Sequence, residues 1–199
     1  IAIIAANGRS GNAFVTQALA AGHSVQAGVY KTNNLETHPN LTIVECDATN
    51  KDDVANLIHG QDAVVSFIGH VKGSPAQVQT DAMRLLAVAM KEQNITRFVS
   101  LTGTGVRFPG DKITLMDRVL NVSISIIDPA RIKDGKDHVA FLQQTDLDWT
   151  VIRVLKLQNV EAKPFALKQN GPTKLFVGRD EVAKAALEVL ERVDGEPDA

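Results

Sequence analysis

The sequence predicts an α/β fold, a single domain over residues 1–199 whose doubly wound parallel sheet has the strand order 3-2-1-4-5-6. Three observations predict it. Short apolar runs alternate with segments of helical period, the form that right-handed βαβ units take in a sequence. The first apolar run breaks without a linker into a glycine-containing turn, Asn7-Gly8-Arg9-Ser10-Gly11, and then into a helical pattern. A chain of 199 residues that is 44% hydrophobic and 22% charged is long enough and apolar enough for one sizeable core, which argues against disorder.

Taken in order, residues 1–5 are continuously apolar, as a strand buried on both faces reads. Phe14, Val15, Ala18 and Leu19 recur at helical spacing over 12–21, and Gly22 stands where a glycine ends a helix. Residues 24–29 are the second strand, followed by the polar turn 30–34. Residues 41–46 are the third strand, 47–49 a turn with an N-capping residue, and 51–59 a short amphipathic helix closed by Gly60. A fourth strand spans 62–68, and a helix runs from about 75 to 93 with Pro75 near its first turn. The fifth strand is 96–101. Beyond a Pro/Gly loop at 107–112, helices are read over 113–121 and 134–144. A sixth strand covers 148–153, a short one 175–177, and a strong amphipathic helix 179–192; the segment 156–172 shows little periodicity. The tail from Gly195 is expected to fray.

Composition excludes several function classes. A net charge of −2 with scattered basic residues gives no nucleic-acid footprint. No apolar run approaches the roughly 20 residues that span a bilayer, and no basic-then-apolar leader is read, so a cytoplasmic location is expected. Cys46 is the single cysteine, so no intrachain disulfide or cysteine metal cluster can form. His23, His38, His59, His70 and His138 lack ligand spacing, and no metal is expected.

The ordered motifs resemble the atypical short-chain dehydrogenase/reductase superfamily, in its NmrA-like and NAD(P)H-flavin-reductase-like group. The matching stretches are Ala5-Ala6-Asn7-Gly8-Arg9-Ser10-Gly11, Cys46-Asp47-Ala48, Phe98-Val99-Ser100-Leu101-Thr102-Gly103, Asp146-Leu147-Asp148-Trp149-Thr150-Val151-Ile152-Arg153 and Gly178-Arg179-Asp180-Glu181-Val182-Ala183. The resemblance covers essentially the whole chain and implies a Rossmann-like NAD(P)-binding domain. Two positions depart from the pattern: Ala5 replaces the first glycine, and Val154 replaces the proline after Arg153 at the nicotinamide end.

The phosphate loop is assigned to Asn7, Gly8, Arg9, Ser10 and Gly11, where small residues let backbone N–H groups approach a phosphate at a helix N-terminus. In such a site an acidic residue after the second strand accepts from a ribose 2′-hydroxyl, whereas a basic residue accommodates a 2′-phosphate. Here the stretch reads Val29-Tyr30-Lys31-Thr32, with no carboxylate before Glu36. NADP(H) is therefore favoured over NAD(H), with Lys31 and Arg9 facing the phosphate from two sides; the alternative is that both are solvated surface cations. Tyr30 either stacks on adenine or covers the strand edge. The resemblance places Asp47 and Ala48 beside the adenine, although Asp47 also suits a helix N-cap. Ile68 and Gly69 would lie along the cofactor, because ligands sit outside the carboxyl ends of the strands.

Many relatives in the superfamily use a Tyr-x-x-x-Lys pair to move a proton. The only tyrosine here is Tyr30, with Asn34 four residues on, so that donor is absent. Replacements are sought at Thr102 and Ser100 after the fifth strand and in the segment Lys133-Asp134-Gly135-Lys136-Asp137-His138, where a helix-surface position is the alternative for His138 and a solvated face for Lys133 and Lys136. A planar acceptor such as flavin or quinone needs little from the protein beyond apposition to the nicotinamide. The expected function is an NADPH-dependent reductase of such an acceptor; the rival is a non-catalytic, NADP(H)-sensing regulator that binds a protein partner. A nucleotide-sugar epimerase or dehydratase is a weaker third reading.

Overall fold

In the computed structural model, which describes residues 1–192, six parallel strands form one sheet. They are β1 (Ala2–Ile4), β2 (Val25–Val29), β3 (Leu41–Glu45), β4 (Ala63–Ser66), β5 (Arg97–Gly103) and β6 (Asp148–Val154). Their spatial order is β3-β2-β1-β4-β5-β6, as the alternation of elements predicts. The order reverses at β1, where Ala2 pairs with Gln26 on one side and Val64 on the other.

Side chains of β1 alternate between two cores because successive Cβ atoms leave opposite faces of a strand. Ile3 packs on one face with Phe14, Val15 and Ala18 of α1 (Arg9–Ala20) and Ala183, Ala186 and Val189 of α6 (Arg179–Glu191). Ala2 and Ile4 pack on the other, against α2 (Lys51–Ile58), α3 (Val78–Glu92) and α5 (Pro129–Leu142) through Leu57, Met83, Leu86, Met90 and Leu142. Cys46 is buried in this second core; burial first, then Asp53 and Asp47, pushes its thiol up to about 12, so it is no nucleophile.

Several boundaries differ from the sequence expectation, each for a local reason. α2 is capped by Asn50, whose side chain accepts from the N–H of Asp52 and Asp53, and not by Asp47. α5 starts at Pro129 instead of residue 134, because the Asp128 side chain accepts from Arg131 N and proline suits the first helical position. α4 (Leu115–Ile127) extends six residues past the expected end at 121, while α3 begins only at Val78. The weakly periodic stretch contains β7 (Lys156–Gln158), which pairs in parallel with β8 (Phe176–Gly178) as a separate two-stranded sheet. Gly22 closes α1 with φ +89°, as a terminating glycine should. The expected fraying from Gly195 lies outside the described residues.

Candidate functional site

The turn after β1 builds an uncapped helix start. Ala5 holds φ 59°, the left-handed conformation that normally selects glycine, which is why this position is glycine in the resembling family. From there Ala5 O accepts from Gly8 N at 3.0 Å, closing the turn. A Cβ on Gly11 would stand 2.3 Å from Ala5 O and 2.8 Å from Ala6 Cα, so only glycine lets α1 lie this close to the strand end. The first i→i−4 bond of α1 is Asn12 N to Gly8 O, 2.8 Å. No side chain caps the N–H groups of Arg9, Ser10 and Gly11 before it, and Gly8 and Arg9 are exposed. Such a cradle of backbone donors at the positive end of a helix fits a pyrophosphate.

The Asn7 side chain braces the loop. Its Nδ2 donates to Tyr30 O (3.1 Å) and Thr32 O (2.7 Å), and its own carbonyl accepts from Asn34 Nδ2 (3.1 Å). The side chain thus ties the turn after β2 onto the loop after β1. On that turn Lys31, at φ 63°, lays its ammonium 4.7 Å from the centre of the half-exposed Tyr30 ring. Asp47 Oδ1 accepts from Thr49 Oγ1 (2.7 Å) and Thr49 N (2.9 Å). These bonds, with the Lys31 charge, hold its carboxyl below the usual range against burial. Ala48 packs on the core beside it. Arg9 and Lys31 have different charged neighbours: Arg179, depressed first by its own burial, also feels Arg9, whereas Lys31 acts on Asp47.

At the carboxyl end of β4, Ile68 is a core residue whose carbonyl accepts from Gln79 Nε2 (2.8 Å). A Cβ on Gly69 would meet nothing within 4 Å, so space is open beside it. Val154 ends β6 opposite Gly103, and its carbonyl accepts from Thr104 N (3.1 Å).

The three residues sought as proton donors come together, but below the surface. Thr102 faces α5 so closely that a Cβ on Gly135 would lie 2.8 Å from its Oγ1. Ser100 Oγ lies 3.5 Å from His138 Nε2, and both line a small cavity of about 10 Å³ with Ser66 and Gln79. That is too small for any acceptor. His138 is 3% exposed, not a surface histidine, and burial lowers it to about 4, outweighing the opposing charge of Asp134. At neutral pH it is an uncharged core residue.

Within the segment 133–138 to which the sequence points, the role of Asp134 is what sequence reading left unassigned. Fully buried on α5, its Oδ1 accepts from Thr80 N (3.0 Å) and Thr80 Oγ1 (2.6 Å), and its Oδ2 from Gln79 N (2.9 Å). It therefore caps α3 from another helix, and also holds His70 Nε2 at 2.8 Å from Oδ2. The usable signal was the position of His70, directly after Ile68-Gly69 at a strand's carboxyl end.

The loop 107–112 is held at both ends. Arg153 grips Asp111 with both terminal nitrogens and stacks 4.9 Å from the Phe108 ring centre, while Arg107 bonds both oxygens of buried Asp117 at 2.8 and 2.9 Å. A groove of about 1030 Å³ runs along the outer edge of β6 beneath residues 164–174. Among the candidate residues only Val154 borders it.

Comparison with known proteins supports the fold. An oxidoreductase, ylbE, from Lactococcus lactis aligns with TM-score 0.73 at 19% identity over 94% of this chain and 82% of its own. A short-chain dehydrogenase/reductase from Veillonella parvula in complex with NADP aligns with TM-score 0.75 at 17% identity, covering 98% of this chain and 88% of its own. ChuY, an anaerobilin reductase from Escherichia coli O157:H7, aligns with TM-score 0.74 at 18% identity, over 95% and 89%. At such identities these likenesses speak for the Rossmann-like fold. Among the described residues no helix is long and apolar enough to cross a membrane. Residues 5–192 match the NAD(P)H-binding family from the phosphate loop to the end of the last helix, and the chain belongs to that family.

Proposed function

We propose that this protein is an NADPH-dependent reductase that passes a hydride to a planar acceptor such as a flavin or quinone. The observation that carries the reading is the open carboxyl edge of the sheet, where the uncapped start of α1 and the unobstructed Gly69 adjoin the basic turn at Lys31. Gly8, Arg9, Ser10 and Gly11 would hold the pyrophosphate, Lys31 the 2′-phosphate, Asp47 and Ala48 the adenine side, and Gly69 and Thr102 the nicotinamide side. Bound NADPH supplies the hydride; the protein's part is apposition. Support for the reaction class comes from the NAD(P)H-binding family and from fold neighbours that include an anaerobilin reductase and a candidate NADH-flavin reductase from Streptococcus pneumoniae. The test is a fluorescence titration with NADPH and NADH, followed by absorbance of the reduced nicotinamide on adding flavin or quinone. Tighter binding of NADPH, reversed in Lys31→Glu, together with acceptor-dependent oxidation supports the proposal. Binding without oxidation by any acceptor overturns it.

A second reading, the redox-sensing regulator, is favoured by one observation. α4 presents Leu115, Met116, Val119, Val122, Ile126 and Ile127 to solvent, with Ile127 83% exposed, an apolar face of the kind that protein partners cover. Partner binding that differs between NADP⁺ and NADPH in the absence of turnover would select this reading, since a ligand without differential affinity shifts nothing.

A further inference from the structure

We infer that His70, oriented by Asp134, delivers the proton that accompanies hydride transfer, in place of the missing tyrosine. The inference rests on the reductase reading and narrows its acceptor to one whose reduction places a proton on oxygen or nitrogen, as in a quinone.

The argument begins with the saturation of Asp134. Its two oxygens receive two backbone N–H groups and the Thr80 hydroxyl, all donors, and the carboxylate itself can only accept. The contact with His70 Nε2 at 2.8 Å therefore has histidine as the donor, which fixes the tautomer and leaves Nδ1 as the nitrogen that gains and loses a proton. Nδ1 has no hydrogen-bond partner among the described residues. Among the described residues the fully buried unpartnered side-chain atoms are Gln93 Oε1, Arg97 Nε and His138 Nδ1, so His70 Nδ1 keeps some solvent contact, while the side chain as a whole is 8% exposed and its ring is held.

Position supplies the second step. His70 follows Gly69, beside the open edge where the nicotinamide side of a cofactor would lie, and Asp134 precedes Gly135, which faces Thr102 Oγ1. Carboxylate and imidazole therefore meet beside the end of β4, and the residue after Asp134 packs against Thr102 of β5. Ser100 and His138 are buried, 3% exposed each, and face each other across a small cavity instead of the open edge. The charged groups around the ring are Asp134 and, from the same helix, Arg131, whose guanidinium donates to His70 O at 3.4 Å and pairs with Asp128; Lys72 lies two residues along the loop. The α3 groups at this point, Gln79 and Thr80, are neutral.

The balance is complete with water as the proton source. A quinone takes two electrons as hydride from NADPH and one proton from Nδ1–H of the imidazolium, the N–H bond breaking as the product O–H bond forms. NADP⁺ and hydroquinone result, and the neutral imidazole is reprotonated by solvent. Asp134 touches no substrate and acts as a positioning residue.

His70→Gln keeps an amide that can donate to Asp134 and so leaves the cap of α3 intact. With NADPH and a water-soluble naphthoquinone, we expect it to slow single-turnover reduction by about 100-fold, as loss of a general acid does, with the NADPH Kd and Tm unchanged. The wild-type rate should fall as pH rises, the variant should lose this dependence, and added imidazole should restore rate to His70→Ala. Independently of turnover, nitrogen-15 NMR of the cofactor-free protein should find the neutral His70 ring protonated on Nε2. A proton on Nδ1, or equal rates and pH profiles for wild type and His70→Gln, overturns the role of His70 and leaves the reductase reading standing. Wild-type protein that oxidises no NADPH with any acceptor overturns both.

Discussion

Gly11→Ala is the substitution whose consequence the structure specifies best. The new Cβ would lie 2.3 Å from Ala5 O, 2.8 Å from Ala6 Cα and 3.0 Å from Ala5 C, all backbone atoms that cannot swing aside as a side-chain tip can. Bringing the carbonyl oxygen to ordinary contact at about 3.4 Å requires roughly 1 Å of separation between the start of α1 and the end of β1. Overpacking of this kind costs about 1–3 kcal/mol, and the rigidity of both partners puts the expectation near about 3 kcal/mol. For a domain of this size that is a fall in Tm of about 6–12 °C. The same displacement carries the N–H groups of Arg9, Ser10 and Gly11 away from their common focus, so NADPH affinity should fall more than tenfold. Thermal unfolding by circular dichroism and NADPH fluorescence titration read the two effects separately. Gly69→Ala, where a Cβ meets nothing within 4 Å, is the control for stability. A Gly11→Ala protein whose Tm stays within a degree of wild type, with undiminished affinity, would refute the close-approach argument.

Ala5→Gly relieves a left-handed alanine, φ 59°, which costs about 1–2 kcal/mol, but adds unfolded-state freedom worth about 0.5–1 kcal/mol; a net gain of about 0.5–1 kcal/mol should appear in denaturant midpoints. His138 has a folded value near 4 against 6.5 unfolded, so below pH 6.5 the unfolded chain takes up a proton that the folded chain refuses until about pH 4. Stability should therefore fall by about 3 kcal/mol as pH drops through that window, and His138→Gln should flatten the slope in unfolding measured from pH 7 to 4. Asp111 is held below the usual carboxylate range by Arg153 first, against its burial, so the stability it lends is present above 3.8 and lost as pH falls through its lower folded value. Asp111→Asn at neutral pH should cost about 1.5–3 kcal/mol and speed hydrogen exchange in 107–112.

The sequence by itself determined the sheet order and the glycine turn between β1 and α1, because both follow from patterns along the chain. Continuous apolar strands alternating with helical periods admit few parallel topologies, and Gly8 and Gly11 advertise a turn that side chains would obstruct. Boundaries failed where a cap set the helix start or where a helix continued without core burial to mark it. Asn50 outcompeted Asp47 because its side chain reaches two free N–H groups, and α4 ran to Ile127 with an apolar face turned outward that no core periodicity marks. Only the tertiary structure decided which polar residues are buried and which are brought together. Ser100, Thr102 and His138 look alike in a sequence, yet His138 sits in the core and Ser100 beneath it. Asp134 and His70 are separated by 64 residues and carry no motif. They meet because α5 packs across the start of α3, where two unpaired backbone N–H groups need an acceptor and the adjoining β4 loop delivers an imidazole to the same carboxylate.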